Sequence, residues 1–176
     1  GDMVDNGEDI SLWREFFAVE QPLMRRSAIF PVLGDNDREG GTITPSQLFP
    51  LLDKGYYRFQ WAGIQFFALD VWGSRGEQPK SEFSQTSEQM RWLTRELALP
   101  EVKNAPFRVV FLHDPVRISR GRSADILKEE LAPVFEKSNV DIVFASWHLY
   151  ERSHHNGVTY VISGGAGAEL IWMSPD

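Results

Sequence analysis

Short apolar runs bounded by polar residues recur along the chain and predict buried strands. Four of these runs span residues 28–33, 107–112, 140–144 and 158–163. Runs of this length without a regular polar–apolar alternation are typical of strands buried on both faces. Two further runs, 56–61 and 64–69, flank Ala62-Gly63 and predict a β-hairpin.

Apolar residues at helical spacing predict helices between these strands. The first spans residues 10–26 and has Ser11 as a plausible N-cap. The second begins at Thr86 in a capping-box pattern. The third spans residues 123–137, and Pro133 should kink or break it. Ligands of an open α/β sheet bind beyond the carboxyl ends of its strands, so polar residues at those ends are the candidates for chemistry.

Three segments are predicted to be loops. Residues 40–55 contain Pro45, Pro50 and Gly55 and are interpreted as an irregular insertion. Residues 72–83 mix Gly, Pro and charged residues, which makes this segment a candidate rim of a substrate cleft. His154 and His155 are expected to be solvated in a polar loop.

The composition argues against some classes of function. A chain of 176 residues, 42% hydrophobic and 24% charged, suits one soluble globular domain over residues 1–176. The net charge of −7 argues against a nucleic-acid partner, and no apolar run is long enough to span a membrane. There are no cysteines, so a metal ion would need His, carboxylate or amide ligands.

Several of the predicted strands deliver polar groups at their carboxyl ends. His113 follows residues 107–112, and Asp35 with Asn36 follows residues 28–33. Each group also has a structural interpretation. A lone histidine is more often part of the core, and a run of Gly, Asp and Asn is a common turn.

The segment 140–167 resembles the closing segment of the calcineurin-like metallophosphoesterases, in particular the branch related to purple acid phosphatases. The usual form there is Gly-His-x-His, then Tyr-Glu-Arg, Asn-Gly-Val-x-Tyr and a Gly-rich end. The matching positions are His148, Tyr150, Glu151, Arg152, Asn156, Gly157, Val158, Tyr160, Gly164, Gly165 and Gly167. Ala145 and Ser146 stand where the glycine and the first histidine of the doublet would be.

The resemblance extends to the other strand ends and implies roles for their residues. Asp2 lies in a Gly-Asp-x-x-Asp-x-Gly motif, whose first Asp bridges two metal ions, although an acidic, frayed terminus is the alternative interpretation. Asp35 replaces the metal-binding asparagine of Gly-Asn-His-Asp, and Asn36 replaces the histidine beside the leaving group. His113 has the position of the family's single metal-binding histidine before x-Pro.

The implied metal site is reduced. The candidate metal ligands are Asp2, Asp35, His113 and His148, and the candidate catalytic residues are Asn36, His148 and Arg152. Ser146 would be a poor fourth group beside Asp2, Asp35 and His113. We expect one divalent ion (Mn, Fe, Zn or Mg) on Asp2, Asp35 and His113, or none. The second ion of the family would find only Asp2 and His148.

The resemblance implies an α/β/β/α sandwich of two mixed sheets. The family's first strand and its Asp-x-His motif have no counterpart in this chain. The strands ending at residue 33 and near Ser146 are therefore candidates to flank the gap left in the sheet by that strand. A homo-oligomer that covers the exposed sheet edge would close this gap.

Three functions fit these observations. The first is a metal-dependent phosphoester hydrolase of reduced or altered activity that acts on a small phosphate ester. The second is a non-catalytic domain that binds a metal ion or a phosphate. The third is a truncated product without activity. Metal content and turnover of a chromogenic phosphate ester separate them.

Overall fold

A computed structural model describes the fold over residues 1–38, 45–72, 84, 86–119, 125–164 and 170. The helices are α1 (Ile10–Met24), α2 (Pro45–Leu48), α3 (Glu88–Ala98), α4 (Pro100–Lys103) and α5 (Asp125–Lys137). The strands are β1 (Tyr57–Trp61), β2 (Ile64–Ala68), β3 (Arg108–Leu112), β4 (Ile142–Ala145), β5 (Tyr150–His155) and β6 (Val158–Ser163). Short 3-10 helices lie at Asn36–Arg38 and Pro50–Leu52.

The described strands form one six-stranded mixed sheet in the order β1-β2-β3-β4-β6-β5. The four central strands are parallel, and each edge strand is antiparallel to its single neighbour. The carboxyl ends of these four strands (β2, β3, β4 and β6) therefore all lie at the same end of the sheet. The mixed α/β class predicted from the sequence is confirmed. The second sheet of the implied sandwich is not formed by the residues described.

One face of the sheet carries the core. Alternate side chains of the central strands are buried against α3 and α5; they include Phe67, Val110, Val143, Tyr160 and Ile162. The helices contribute apolar stripes that include Leu93, Leu97, Leu127, Leu131 and Phe135. The predicted core roles of Met90, Leu93 and Leu97 are confirmed, because a helix has its buried residues at spacings of three and four.

The opposite face carries a row of stacked aromatic rings. Phe59 of β1 stacks on Phe66 of β2 with the ring centroids 4.8 Å apart, and Phe111 of β3 stacks on Phe144 of β4 at 5.3 Å. The Phe66 and Phe111 rings join the two pairs at 6.4 Å. These rings are half-buried, so this face is apolar but less covered than the core face.

The predicted hairpin is confirmed as β1 and β2, and its turn explains the residues at its tip. Trp61 pairs with Ile64, which leaves a two-residue connection. Both turn residues have positive φ, 49° at Ala62 and 83° at Gly63. Two-residue hairpins favour this conformation because it matches the twist of the strands.

The segment 28–33 lies outside the strands of the sheet, so that prediction was wrong. Pro31 has no N–H to give to a ladder, and its carbonyl oxygen accepts a hydrogen bond from the Tyr57 hydroxyl at 2.7 Å. Phe30 stacks on Phe59 with centroids 3.8 Å apart. Pro31 and Leu33 of this segment are buried without pairing in the sheet, whereas Phe30 lies against Phe59 and stays 39% exposed.

The predicted gap beside the strand that ends near Ser146 is also wrong. That strand, β4, pairs in parallel with β3 on one side and with β6 on the other. Its backbone groups therefore meet partners on both sides.

Both predicted helix caps lie one or two residues away from the true ones. Asp9, not Ser11, caps α1, and its carboxylate accepts the Ser11 N–H at 2.8 Å. Ser87, not Thr86, caps α3 and accepts the Met90 N–H at 3.2 Å. Neighbouring polar residues compete for the cap position, and packing decides which one takes it.

Three other predictions have mixed outcomes. His154 and His155 belong to strand β5, not to a loop, although their exposure was expected. Helix α5 continues through Pro133, so no break occurs there. The described part of the insertion, residues 45–55, contains α2 and a 3-10 helix, and most of the predicted cleft rim, residues 73–83, lies outside the described residues.

Among the helices in the described residues, none has the length and apolar character that crossing a membrane requires.

Candidate metal centre

The site is built at the carboxyl end of β3. His113 follows the last residue of that strand and is buried. Its carbonyl oxygen accepts the N–H of Ser146, which follows β4, at 2.9 Å. The ends of two adjacent parallel strands thus hold the histidine in place, as expected for a site at the carboxyl edge of an α/β sheet.

Two carboxylates converge on this histidine. The Asp2 Oδ2 atom lies 3.3 Å and the Asp35 Oδ1 atom lies 3.2 Å from His113 Nε2. One ligand atom from each of these three residues lies within 4.8 Å of the other two. We call them the Asp-Asp-His cluster. It unites residues from three separate segments of the chain.

Asp2 is held tightly at both its backbone and its side chain. Its φ of 58° is in the left-handed region, which aspartate tolerates better than most residues. The Asn36 backbone N–H donates to Asp2 Oδ1 at 3.2 Å, and the Asn36 side-chain amide donates to Oδ2 at 3.3 Å. A Cβ on Gly34 would collide with the Asp2 carboxylate, so the close approach of the two loops requires glycine at that position.

The electrostatics of the cluster favour a charged Asp2 carboxylate near the histidine. Burial acts to raise the pKa of Asp2, but the hydrogen bond and charge of the His113 ring and the Asn36 N–H bring that pKa below its usual value. The neighbouring Asp114 behaves differently. Burial raises the pKa of Asp114 to about 6, and the charges on Asp35 and Asp2 add to this rise.

The donor set fits a hard or borderline divalent ion. Adjacent ligand atoms that bind one ion at about 2.0–2.2 Å lie roughly 2.8–3.6 Å apart, from octahedral to tetrahedral angles. The separations of 3.3 and 3.2 Å from His113 Nε2 agree with that spacing. Two carboxylates and one imidazole suit Mn, Fe, Zn or Mg better than soft ions, which prefer sulfur.

The comparison with known families decides the identity of this fold. The profile of the calcineurin-like phosphoesterase family matches residues 1–146. The chain belongs to the calcineurin-like phosphoesterase family. The predicted family is therefore confirmed.

The relatives of this phosphoesterase chain include two purple acid phosphatases of Arabidopsis thaliana. Purple acid phosphatase 15 is 29% identical over 136 residues, which cover 68% of this chain and 24% of the relative. Purple acid phosphatase 22 is 29% identical over 101 residues, which cover 55% of this chain and 21% of the relative. The chain thus spans less than a quarter of the length of either relative.

A solved structure supports the phosphoesterase fold. Purple acid phosphatase PPD1 from seeds of yellow lupin (Lupinus luteus) matches with a TM-score of 0.58 at 20% identity, over 70% of this chain and 25% of that chain. Phosphoesterases of this family are metal-dependent and use a dinuclear centre.

The structure brings together only part of the predicted phosphoesterase site. Asp2, Asp35 and His113 converge, and their role as metal ligands stays a prediction. His148 is half-buried in the connection between β4 and β5 and is not part of the cluster. Arg152 is exposed on β5, three strand spacings or about 14 Å from β3. Neither residue has a demonstrated catalytic role.

Sequence reasoning assigned no role to two acidic residues beside the cluster, the half-buried Asp114 and the buried Asp37. Asp114 is one, and its position directly after His113 was the available signal. Asp37 is the other, and the signal there was its position in Gly34-Asp35-Asn36-Asp37, where it falls on the final Asp of Gly-Asn-His-Asp. Its carboxylate accepts backbone N–H groups from both loops of the cluster.

Proposed function

We propose that this chain carries the metal site of a metal-dependent hydrolase that acts on small phosphate esters. The convergence of the Asp2 and Asp35 carboxylates on His113 Nε2, at 3.3 and 3.2 Å, carries the proposal. Charged oxygen and imidazole donors at the carboxyl edge of a phosphoesterase sheet form a suitable site for a divalent ion. The net charge of −7 disfavours a nucleic-acid substrate.

We expect one tightly held ion of Mn, Fe, Zn or Mg. Asp2, Asp35 and His113 are the ligands that meet in the described part of the chain, and His148 does not join them. Three protein ligands leave positions for water or substrate. A second ion would have too few ligands in the same region to bind tightly.

Three residues of the chain would hold the ion, and Asn36 would orient one of them. When bound, the ion would lower the pKa of a coordinated water and polarise a phosphoryl oxygen. Asp2 and Asp35 would supply the negative charge that attracts the ion, and His113 would fix it at the end of β3. Asn36 holds the Asp2 carboxylate by its backbone and side-chain N–H groups.

The activity should be reduced and should favour good leaving groups. Asn36 occupies the position predicted for a proton donor, but an amide does not titrate. Loss of general acid catalysis typically costs a factor of about 10²–10⁴ in rate. A substrate whose leaving group needs no proton, such as an aryl phosphate, avoids most of that loss.

The test combines metal analysis with turnover. We expect about one equivalent of metal per chain and Mn²⁺-dependent hydrolysis of 4-nitrophenyl phosphate, with much slower hydrolysis of an alkyl phosphate. Asp2→Asn should remove both metal and activity, whereas Asp5→Asn, an exposed carboxylate in the same loop, should change neither. Full metal content and turnover in Asp2→Asn would refute the proposed site.

A non-catalytic domain that binds a metal ion or a phosphate is the second candidate. The hydrogen bond from the Asn36 amide to Asp2 favours it, because the residue at the proton-donor position is used to hold a ligand. Saturable binding of Mn²⁺ or inorganic phosphate without turnover of the aryl phosphate would identify this function.

A further inference from the structure

The carboxylate of Asp37 is one of the most deeply buried charged groups near the site. The residue is 1% exposed and lies in the 3-10 helix Asn36–Arg38. Its oxygens accept four backbone N–H groups, from Asp2 at 2.9 Å, Met3 at 2.7 Å, Val4 at 3.3 Å and Gly34 at 2.9 Å. Asp37 itself is not part of the Asp-Asp-His cluster.

These four bonds saturate the side chain. Oδ1 accepts from Met3 and Val4, while Oδ2 accepts from Asp2 and Gly34, so each oxygen takes two donors. An ionised carboxylate offers about four acceptor positions and no donor, which matches this arrangement. No neutral side chain of the same size can accept all four N–H groups.

The bonds also tie together the two loops that carry the carboxylates of the cluster. Residues 2–4 belong to the loop of Asp2, and Gly34 precedes Asp35. Because Asp2 has a φ of 58°, its backbone is in a conformation that the surroundings must maintain. Asp37 binds the backbone N–H of Asp2, while the adjacent Asn36 binds its carboxylate.

We propose that Asp37 is a positioning residue that sets the separation of the Asp2 and Asp35 carboxylates by fastening their two loops to one buried anion. This inference rests on the proposed metal-dependent function. Asp37 acts through Asp2, and it contacts neither the ion nor the substrate. Its contribution is that the carboxylates are already in place beside His113 before an ion arrives.

The test uses Asp37→Asn in the complete chain, with Mn²⁺ as the probe. The amide keeps the shape of the side chain but turns an NH₂ group toward two of the four backbone donors. We expect the affinity for Mn²⁺ to fall at least tenfold at a temperature where the variant is fully folded. In the metal-free variant, the ring NMR signals of His113 should shift, because the Asp2 carboxylate leaves its position.

Asp141→Asn is the matched control. The Asp141 carboxylate also accepts a backbone N–H, from Arg108 at 2.8 Å, but it lies at the opposite end of β3. The Asp141→Asn substitution should lower the melting temperature without changing the affinity for Mn²⁺ or the His113 NMR signals. Parent-like affinity in Asp37→Asn, or an equal loss in Asp141→Asn at a matched loss of stability, would overturn the inference.

The proposed function and the positioning role can fail separately. If the parent protein binds no Mn²⁺, the proposed function fails, and the His113 signals of the metal-free proteins decide the positioning role. Unshifted signals in Asp37→Asn then overturn it, and shifted signals support it. If Asp37→Asn does not fold, amide hydrogen exchange in the parent decides: slow exchange at Met3 and Gly34 supports the role, and exchange at the rate of an exposed loop overturns it.

Discussion

At the scale of single residues, the site depends on close approach between short loops. The Asp2 and Asp35 carboxylates reach His113 because the loops that carry them are almost in contact at Gly34. A residue with a side chain at this point would occupy the space of the Asp2 carboxylate. The geometry of the Asp-Asp-His cluster therefore depends on Gly34, a residue without a reactive side chain.

Gly34→Ala should weaken metal binding more than it weakens folding. The added Cβ would meet the Asp2 carboxylate and, at 2.7 Å, the Asp2 backbone nitrogen, so the Asp2 loop must move. We expect the affinity for Mn²⁺, measured by calorimetry, to fall by roughly tenfold or more, which corresponds to about 1.4 kcal/mol.

Gly157→Ala serves as the control for Gly34→Ala. Gly157 has a φ of 88° and open space where a methyl group would lie, so alanine there costs stability through the backbone alone, by about 1 kcal/mol. Its Mn²⁺ affinity should equal that of the parent. A Gly34→Ala protein that binds Mn²⁺ as the parent does would contradict the steric argument.

At the scale of elements, side chains between α5 and the β5–β6 hairpin fasten the helix to the sheet. Glu136 of α5 accepts hydrogen bonds from Arg117 at 3.0 Å and from the turn residue Asn156 at 3.0 Å. The Arg117 guanidinium lies 5.5 Å from the ring centre of Tyr160 on β6. One carboxylate thus links a helix, a strand connection and a hairpin turn.

Glu136→Gln should destabilise the protein at neutral pH but not at strongly acidic pH. The Asn156 hydrogen bond, with that from Arg117, lowers the pKa of Glu136 below its ordinary value of 4.5. A lowered pKa contributes stability that is present above the unfolded value and is lost as the pH falls through the folded value. We expect a loss of about 0.5–1.5 kcal/mol at pH 7.

Urea unfolding at pH 7 and pH 3 measures the effect of Glu136→Gln. Glu129→Gln, an exposed carboxylate on the same helix, should change stability little at either pH. A loss in Glu136→Gln that is as large at pH 3 as at pH 7 would show that charge is not its cause.

At the scale of the whole molecule, the sheet has two different edges. The edge strand β1 ends in Trp61, which is 71% exposed. The other edge strand, β5, carries charged residues, including Glu151 and Arg152. Charged residues on an edge strand resist pairing with other chains. The one charged residue of β1, Arg58, is paired with Glu96 of α3 at 3.2 Å, so Trp61 is the more exposed apolar group of that edge strand.

We expect any homo-oligomer of this chain to cover the β1 edge. Sedimentation velocity over a range of concentrations should then show a dimer that Trp61→Lys weakens. Tyr150→Lys introduces the same charge at a residue of 73% exposure on β5 and should leave the dimer intact. A dimer that Tyr150→Lys disrupts and Trp61→Lys leaves intact would contradict this expectation.

Local patterns determined the elements and the family. The hairpin at Ala62-Gly63, the apolar stripe of α3 and the strand that delivers His113 follow from residue spacing and turn chemistry, which act over a few neighbouring residues. The motif positions also indicated Asp2, Asp35 and His113 as a group before their distances were known.

Only the tertiary structure decided which elements meet. The segment 28–33 has the composition of a strand, yet it packs across the sheet face, because pairing depends on which neighbours are available. His148 follows the correct strand, but the path of the chain between β4 and β5 leaves it outside the cluster. The role inferred for Asp37 was equally hidden, because its four donors come from residues 3 to 35 positions away, and only the folded chain brings them to one carboxylate.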